Sequence, residues 1–175
     1  SFTTTVEFFD RPGYWTGVER NPARTQLDNE VVVCAHNTYE DGLSTPAKNL
    51  AATLDKVHAE QANDADAIEL DIVSWDHILR VTHDDNSGAK KTAKLSDVLT
   101  DSDLQDGDQL LFLEFKEKSP STRKCRLLLD LILEQGFATN GRPVVIRSFA
   151  PKEREKNITL MKALLKERKY IHIRP

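Results

Sequence analysis

Ala67-Ile68-Glu69-Leu70-Asp71-Ile72-Val73 is the run on which the reading of this chain turns. It has the hydrophobicity of a buried strand, yet it carries two acids. Alternate side chains of a strand point to opposite faces, so Ile68, Leu70 and Ile72 share one face while Glu69 and Asp71 share the other. Two carboxylates on one face of a buried strand repel each other and lose hydration. Such a pair needs a cation, a proton or basic partners. A cation fits best where other polar groups converge on the same point.

Working outward, apolar runs alternate with helical patterns. Val31 to Ala35 reads as a buried strand ending in His36-Asn37. Ser44-Thr45-Pro46 reads as a capped helix start, with the helix running to about Gln61. After Ala67–Val73 comes a short strand, Ile78–Thr82, ending in His83. Ser96 to Leu99 suggests a short helix. Leu110 to Phe115 is a strand leading into Lys116, and Ser121 starts a helix stopped by Gly136. Pro143–Ile146 is a further strand, Pro151 to about Lys166 a helix, and Tyr170–Arg174 a last strand. Alternation of this kind predicts an α/β fold with about six parallel strands and helical crossovers. Residues 1–30 show no sustained period and read as an irregular lead-in, leaving 31–175 as one domain.

Composition narrows the classes. The chain has 175 residues and a formal net charge of −4, which gives no electrostatic case for nucleic acid. No apolar stretch approaches the roughly 18–20 residues of a transmembrane segment. No secretory signal is legible, and a start at Ser1 without Met is compatible with processing or with a cut from a longer protein. Two cysteines, Cys34 and Cys125, on different elements read as free thiols, so the compartment stays open: secreted or cytoplasmic.

In parallel α/β folds function gathers at the carboxyl ends of the strands. The polar residues that interrupt apolar runs here fall at those ends. By alternation His36 lies with Cys34, Glu69 with Asp71, His83 with Val81, and Glu114 and Lys116 with Phe112. The complementary face (Val33, Ile68, Leu70, Ile72, Leu111, Leu113, Phe115) is apolar, as helix packing requires. Four strands thus offer two histidines, three carboxylates and a lysine to one interior. Oxygen donors suit Ca²⁺ or Mg²⁺, two histidines suit a general base and a general acid, and a lysine can neutralise phosphate. The combination favours cleavage of a phosphodiester.

His36-Asn37-Thr38-Tyr39, Glu69-Leu70-Asp71, His83 and Glu114-Phe115-Lys116 together resemble the phosphatidylinositol-phospholipase-C-like phosphodiesterase superfamily, which adopts a TIM-type barrel. His-Asn-Thr-Tyr is similar to the opening motif of the calcium-dependent phospholipases C. His83-Asp84, Glu114-x-Lys116 and Ser148-Phe149 resemble the glycerophosphodiester phosphodiesterases. The resemblance implies His36 and His83 as the acid–base pair and Glu69, Asp71 and Glu114 as metal ligands. Asn37 is a fourth ligand in the phospholipase reading. The glycerophosphodiesterases usually have His-Arg where this chain has His36-Asn37, which moves the phosphate-binding role to Lys116. The implied substrate is a small phosphodiester or a phospholipid head group. A TIM-type barrel takes about 250 residues, so the expected barrel is incomplete. A second chain or a missing C-terminal segment would complete it.

Plainer readings stand beside these. Glu69 and Asp71 could form a structural ion pair with Lys116, or Lys116 could face outward. His58 and His77 read as exposed, and His172 is ambiguous. Arg147 and Ser148 alternate, so only one faces inward, and the sequence leaves open which. The competing function is a non-catalytic or partner-dependent half-barrel that binds metal or phosphate without turnover.

Overall fold

The computed structural model describes residues 6–9, 33–118, 121–137, 144–148 and 154–167. Its longer central helices begin where the sequence supplies a cap. The Thr45 hydroxyl accepts from the Lys48 N–H at 3.3 Å and Pro46 enters the first turn, starting α1, Pro46–Ala62. Two short helices follow, α2 (Leu95–Leu99) and α3 (Ser102–Asp106), the second capped by the Asp101 carboxylate on the Leu104 N–H. Ser121 caps α4, Thr122–Glu134, and Gly136 supplies the positive φ of 77° just after it. The last described helix is α5, Arg154–Leu165.

The strands are β1 (Val6–Phe9), β2 (Cys34–Ala35), β3 (Ala67–Trp75), β4 (Ile78–Val81), β5 (Leu110–Phe115) and β6 (Val144–Ser148). Five run parallel in the order β1-β6-β5-β3-β2. The architecture is therefore α/β around a parallel sheet, as the alternation predicts. Two details differ. Val6–Phe9, in the stretch read as irregular, forms β1 and pairs with β6. β4 is antiparallel to β3, which corrects the expectation of parallel strands throughout. Only Asp76 and His77 separate the two strands, far too short for a parallel crossover. Both have positive φ (48° and 61°), the geometry of a two-residue hairpin turn. The expected strand Tyr170–Arg174, with His172, and the start of the first strand at Val31 lie outside the described residues.

The two faces of the sheet are segregated. Ile68, Leu70, Ile72, Leu111, Leu113, Phe115, Val144 and Ile146 join one core with Val57 of α1, Leu128, Leu129 and Ile132 of α4, and Ile158 and Leu164 of α5. The described helices thus pack on a single face. Each fully buried large side chain there contributes roughly 1.5–3 kcal/mol. The other face holds a separate small cluster of Ala67, Leu110, Val145 and Phe112, beneath the acids. No described helix is long and apolar enough to cross a membrane.

Beyond β2 and β4 the loops are tied together. Ile72 pairs with Phe115 on one side and Val81 on the other, so β4 lies on the same edge of β3 as β2. The fully buried Asn49 of α1 donates to the carbonyls of Leu43 (3.0 Å), Thr45 (3.2 Å) and Lys91 (2.8 Å) and accepts from the Leu43 N–H (2.9 Å). It therefore joins the loop after β2 to the 3₁₀ turn Ser87–Lys91 after β4. Asn49→Ala leaves these backbone groups without partners and should lower stability by about 3 kcal/mol, read as a shift of the urea midpoint. Asn49→Asp sets a carboxylate against the same carbonyls and should be at least as damaging.

Candidate metal centre

Strand register builds the site. Asp71 of β3 is paired with Glu114 of β5, and Glu114 with Arg147 of β6, so the three occupy one row across the sheet. Glu69 lies two residues earlier on the same face, beside Phe112. Lys116 lies two residues beyond Glu114, its N–H bonded to the Ile72 carbonyl at 2.8 Å. Glu69, Asp71, Glu114 and Lys116 are all buried. One carboxylate oxygen from each acid lies within 4.8 Å of the others. Two oxygens on opposite sides of a Ca²⁺ ion are separated by roughly 5 Å, so one ion can reach all three.

The neighbours satisfy part of this charge. The Asn37 N–H donates to Glu69 Oε2 at 2.7 Å and the Tyr39 hydroxyl to Asp71 Oδ2 at 2.7 Å. Lys116 Nζ lies 2.6 Å from Glu114 Oε2 and 3.3 Å from Asp71 Oδ1. Arg147 Nε lies 3.3 Å from Glu114 Oε1. Yet Asp71 Oδ1 and Glu114 Oε1 are buried and accept no hydrogen bond from the described residues. Both therefore have a cation nearby and an unfilled lone pair. Buried acceptors are normally satisfied. An all-oxygen donor set with two unsatisfied members fits a hard divalent cation.

The loops set this arrangement. Asn37 takes a positive φ of 54°, which Asn tolerates, and the turn delivers its N–H to Glu69 while the Thr38 N–H bonds the Glu69 carbonyl at 3.0 Å. Asn37 thus meets the acids through its main chain, and its Oδ1 lies 3.5 Å from the Tyr39 hydroxyl. His36 is exposed at the end of β2, and His83 is exposed after β4, with Nδ1 3.1 Å from Asp84 Oδ1. Neither imidazole is hydrogen-bonded to the three acids. Both rings sit on loops at the carboxyl ends of strands flanking the cluster. Lys116 lies inside the cluster, so the outward-facing alternative for it does not apply. His77 is exposed in the hairpin turn, while His58 is partly covered and bonds Asp101 at 2.9 Å, linking α1 to the start of α3.

Three residues of the site have roles the sequence reading did not assign. Tyr39 holds Asp71. Asp41 Oδ2 accepts from the Thr82 hydroxyl at 2.8 Å and the His83 N–H at 3.3 Å, joining the two histidine-bearing loops. Arg147 shares the acid row. Register settles the parity that alternation alone left open for Arg147.

Burial pushes the Glu69 carboxyl up to about 7, and the charges of Asp71 and Glu114 add to it, against the opposing Asn37 N–H. Between the ordinary carboxylate range and about 7, folded Glu69 holds a proton that the unfolded chain has released. Its contribution to stability is therefore present at low pH and lost as pH rises through about 7. Metal-free wild type should lose stability relative to Glu69→Gln across that window, with no further relative loss above it. Urea titrations of both proteins at successive pH values check this. A divalent cation held by the triad would have to displace the same proton, so its affinity should be roughly 20-fold weaker at pH 5.5 than at 7.5, measured by calorimetry with CaCl₂ and MgCl₂. No family model, curated protein or solved structure matches this chain.

Proposed function

We propose that the protein is a metal-dependent phosphodiesterase of the phospholipase C or glycerophosphodiesterase type, built on an incomplete TIM-type barrel. The observation that carries this reading is the buried triad of Glu69, Asp71 and Glu114, with unsatisfied oxygens on Asp71 and Glu114. Helices on one face of the sheet and acids on the other give the layering of a barrel wall and interior. Glu69, Asp71 and Glu114 would hold Ca²⁺ or Mg²⁺, with Asn37 as a candidate fourth ligand. The ion, when bound, would supply electrostatic stabilisation for the phosphoryl oxygens.

The chain's own residues account for the proton traffic. One of His36 and His83 takes the proton from the attacking hydroxyl as its oxygen bonds phosphorus. The other, protonated, gives its proton to the alkoxide released when the opposite P–O bond breaks. Both rings are exposed, as groups that exchange protons with substrate and solvent need to be. Tyr39 and the Asn37 N–H orient the carboxylates, and Asp41 fixes the backbone at His83. The substrate is a glycerophosphodiester or a phospholipid head group.

A second reading draws on the sheet itself. Among the described residues β1 and β2 do not pair, so the sheet does not close on itself. A half-barrel that binds metal or phosphate and needs a further segment for turnover would look the same.

Calorimetry with CaCl₂ and MgCl₂ tests the core of the proposal. Wild type should bind one of the ions, and Glu69→Ala, Asp71→Ala and Glu114→Ala should each weaken or abolish binding. Hydrolysis of bis(4-nitrophenyl) phosphate should fall about 10²- to 10⁴-fold in His36→Ala and in His83→Ala. Ion binding without turnover favours the half-barrel, and absence of ion binding removes both readings.

A further inference from the structure

We propose that Arg147, and not Lys116, is the cation that grips the phosphoryl oxygens of the substrate. The inference rests on the phosphodiesterase reading and assigns one of its roles to a residue of β6. Lys116 is the obvious candidate from sequence, but its ammonium is buried, 8 % exposed, and placed between Glu114 at 2.6 Å and Asp71 at 3.3 Å. Placed there, it is held against the acids and away from solvent.

Arg147 is placed differently. It stands at the carboxyl-terminal part of β6, in the same row as Asp71 and Glu114, on the acid face. Its side chain is 36 % exposed, so it reaches from the cluster to solvent. Its closest approach to Glu114 is 3.3 Å from Nε, and Glu114 Oε1 accepts no hydrogen bond, so this is an ionic contact rather than a formed fork. A guanidinium offers five donors in a plane that matches two oxygens of a phosphate. Among the described residues its ion-pair partner is Glu114, met through Nε.

The charge count agrees. Three carboxylates face two cations, Lys116 and Arg147, leaving one net negative charge when all are ionised. A divalent cation reverses this to one net positive charge, which a monoanionic diester neutralises. Without Arg147 the loaded site is neutral and loses its attraction for the anion.

The test uses the 175-residue chain saturated with Ca²⁺ and dimethyl phosphate as probe, followed by ³¹P line broadening. Arg147→Gln should weaken probe binding about 10- to 100-fold without weakening Ca²⁺ binding measured by calorimetry. Arg147→Lys, which keeps the charge and loses the fork, should fall between. Equal probe binding by wild type and Arg147→Gln overturns the assignment. So does parallel loss of Ca²⁺ and probe, which would make Arg147 a support for the acids, and so does a wild type that never binds the probe. Failure of the phosphodiesterase reading is separately visible: Arg147-dependent probe binding with no diester hydrolysis.

Discussion

Three carboxylates within 4.8 Å of one another, buried on one face of a sheet, impose the constraint that the rest of this structure answers. Each ion taken out of water costs several kcal/mol even after relaxation, and like charges at this distance add to that. The position of the acids is not adjustable, because the β3–β5 ladder sets Asp71 opposite Glu114. Compensation has to come from side chains and main-chain donors brought to the acids. Lys116, Arg147, Tyr39 and the Asn37 N–H arrive from three strand ends, and each meets a different oxygen.

The segregation of the sheet follows from the same constraint. If helices packed on both faces, the acids would lie under an apolar layer with no route for water. Instead one continuous core joins the described helices to Ile68, Leu70 and Ile72, and among the described residues the acid face carries a small cluster around Phe112 and Val145. The antiparallel β4 extends the edge beyond the two residues of β2 and brings Thr82 and His83 beside the loop of Asn37 to Asp41. Lys56 adds a further tie, donating to the Tyr39 carbonyl at 2.6 Å and to Glu40 at 3.2 Å. The loop that presents Tyr39 to Asp71 is thus braced from α1.

Much of this was legible because a strand has a period of two. Glu69 and Asp71 on one face, Glu114 and Lys116 on one face, and the apolar complement of β3 and β5 against helices all follow from alternation, and the register agrees. The first strand departs from it, since Val33, expected on the helix-packed face of a buried strand, is 60 % exposed and Cys34 is exposed too. The α1 and α4 starts were legible from Thr45-Pro46 and Ser121, whose hydroxyls do cap them. The β4 direction was not, because Asp76-His77 lacks the Asn-Gly or Asp-Gly signature of a two-residue turn and adopts its dihedrals nonetheless. Nor was the part played by Arg147, since adjacent polar residues at a strand end leave parity undefined until the neighbouring strand fixes it. Asp41 was hidden for a different reason. A loop residue has no period, and its partners, Thr82 and His83, lie 41 and 42 positions away.

The proton on Glu69 connects folding to binding. With Glu69 protonated, the two remaining carboxylates face two cations, and the cluster is neutral with no metal at all. Asp71 and Glu114 thus have Lys116 and Arg147 as partners, unlike the ligands of small metal-dependent domains, which have no other partners. Ionising Glu69 unbalances the cluster by one charge, and a divalent cation overshoots the balance in the other direction. The more exposed edge of the cluster carries the Arg147 guanidinium. Burial of Glu69 thus ties the charge of the cluster to pH, through a carboxyl pushed up to about 7.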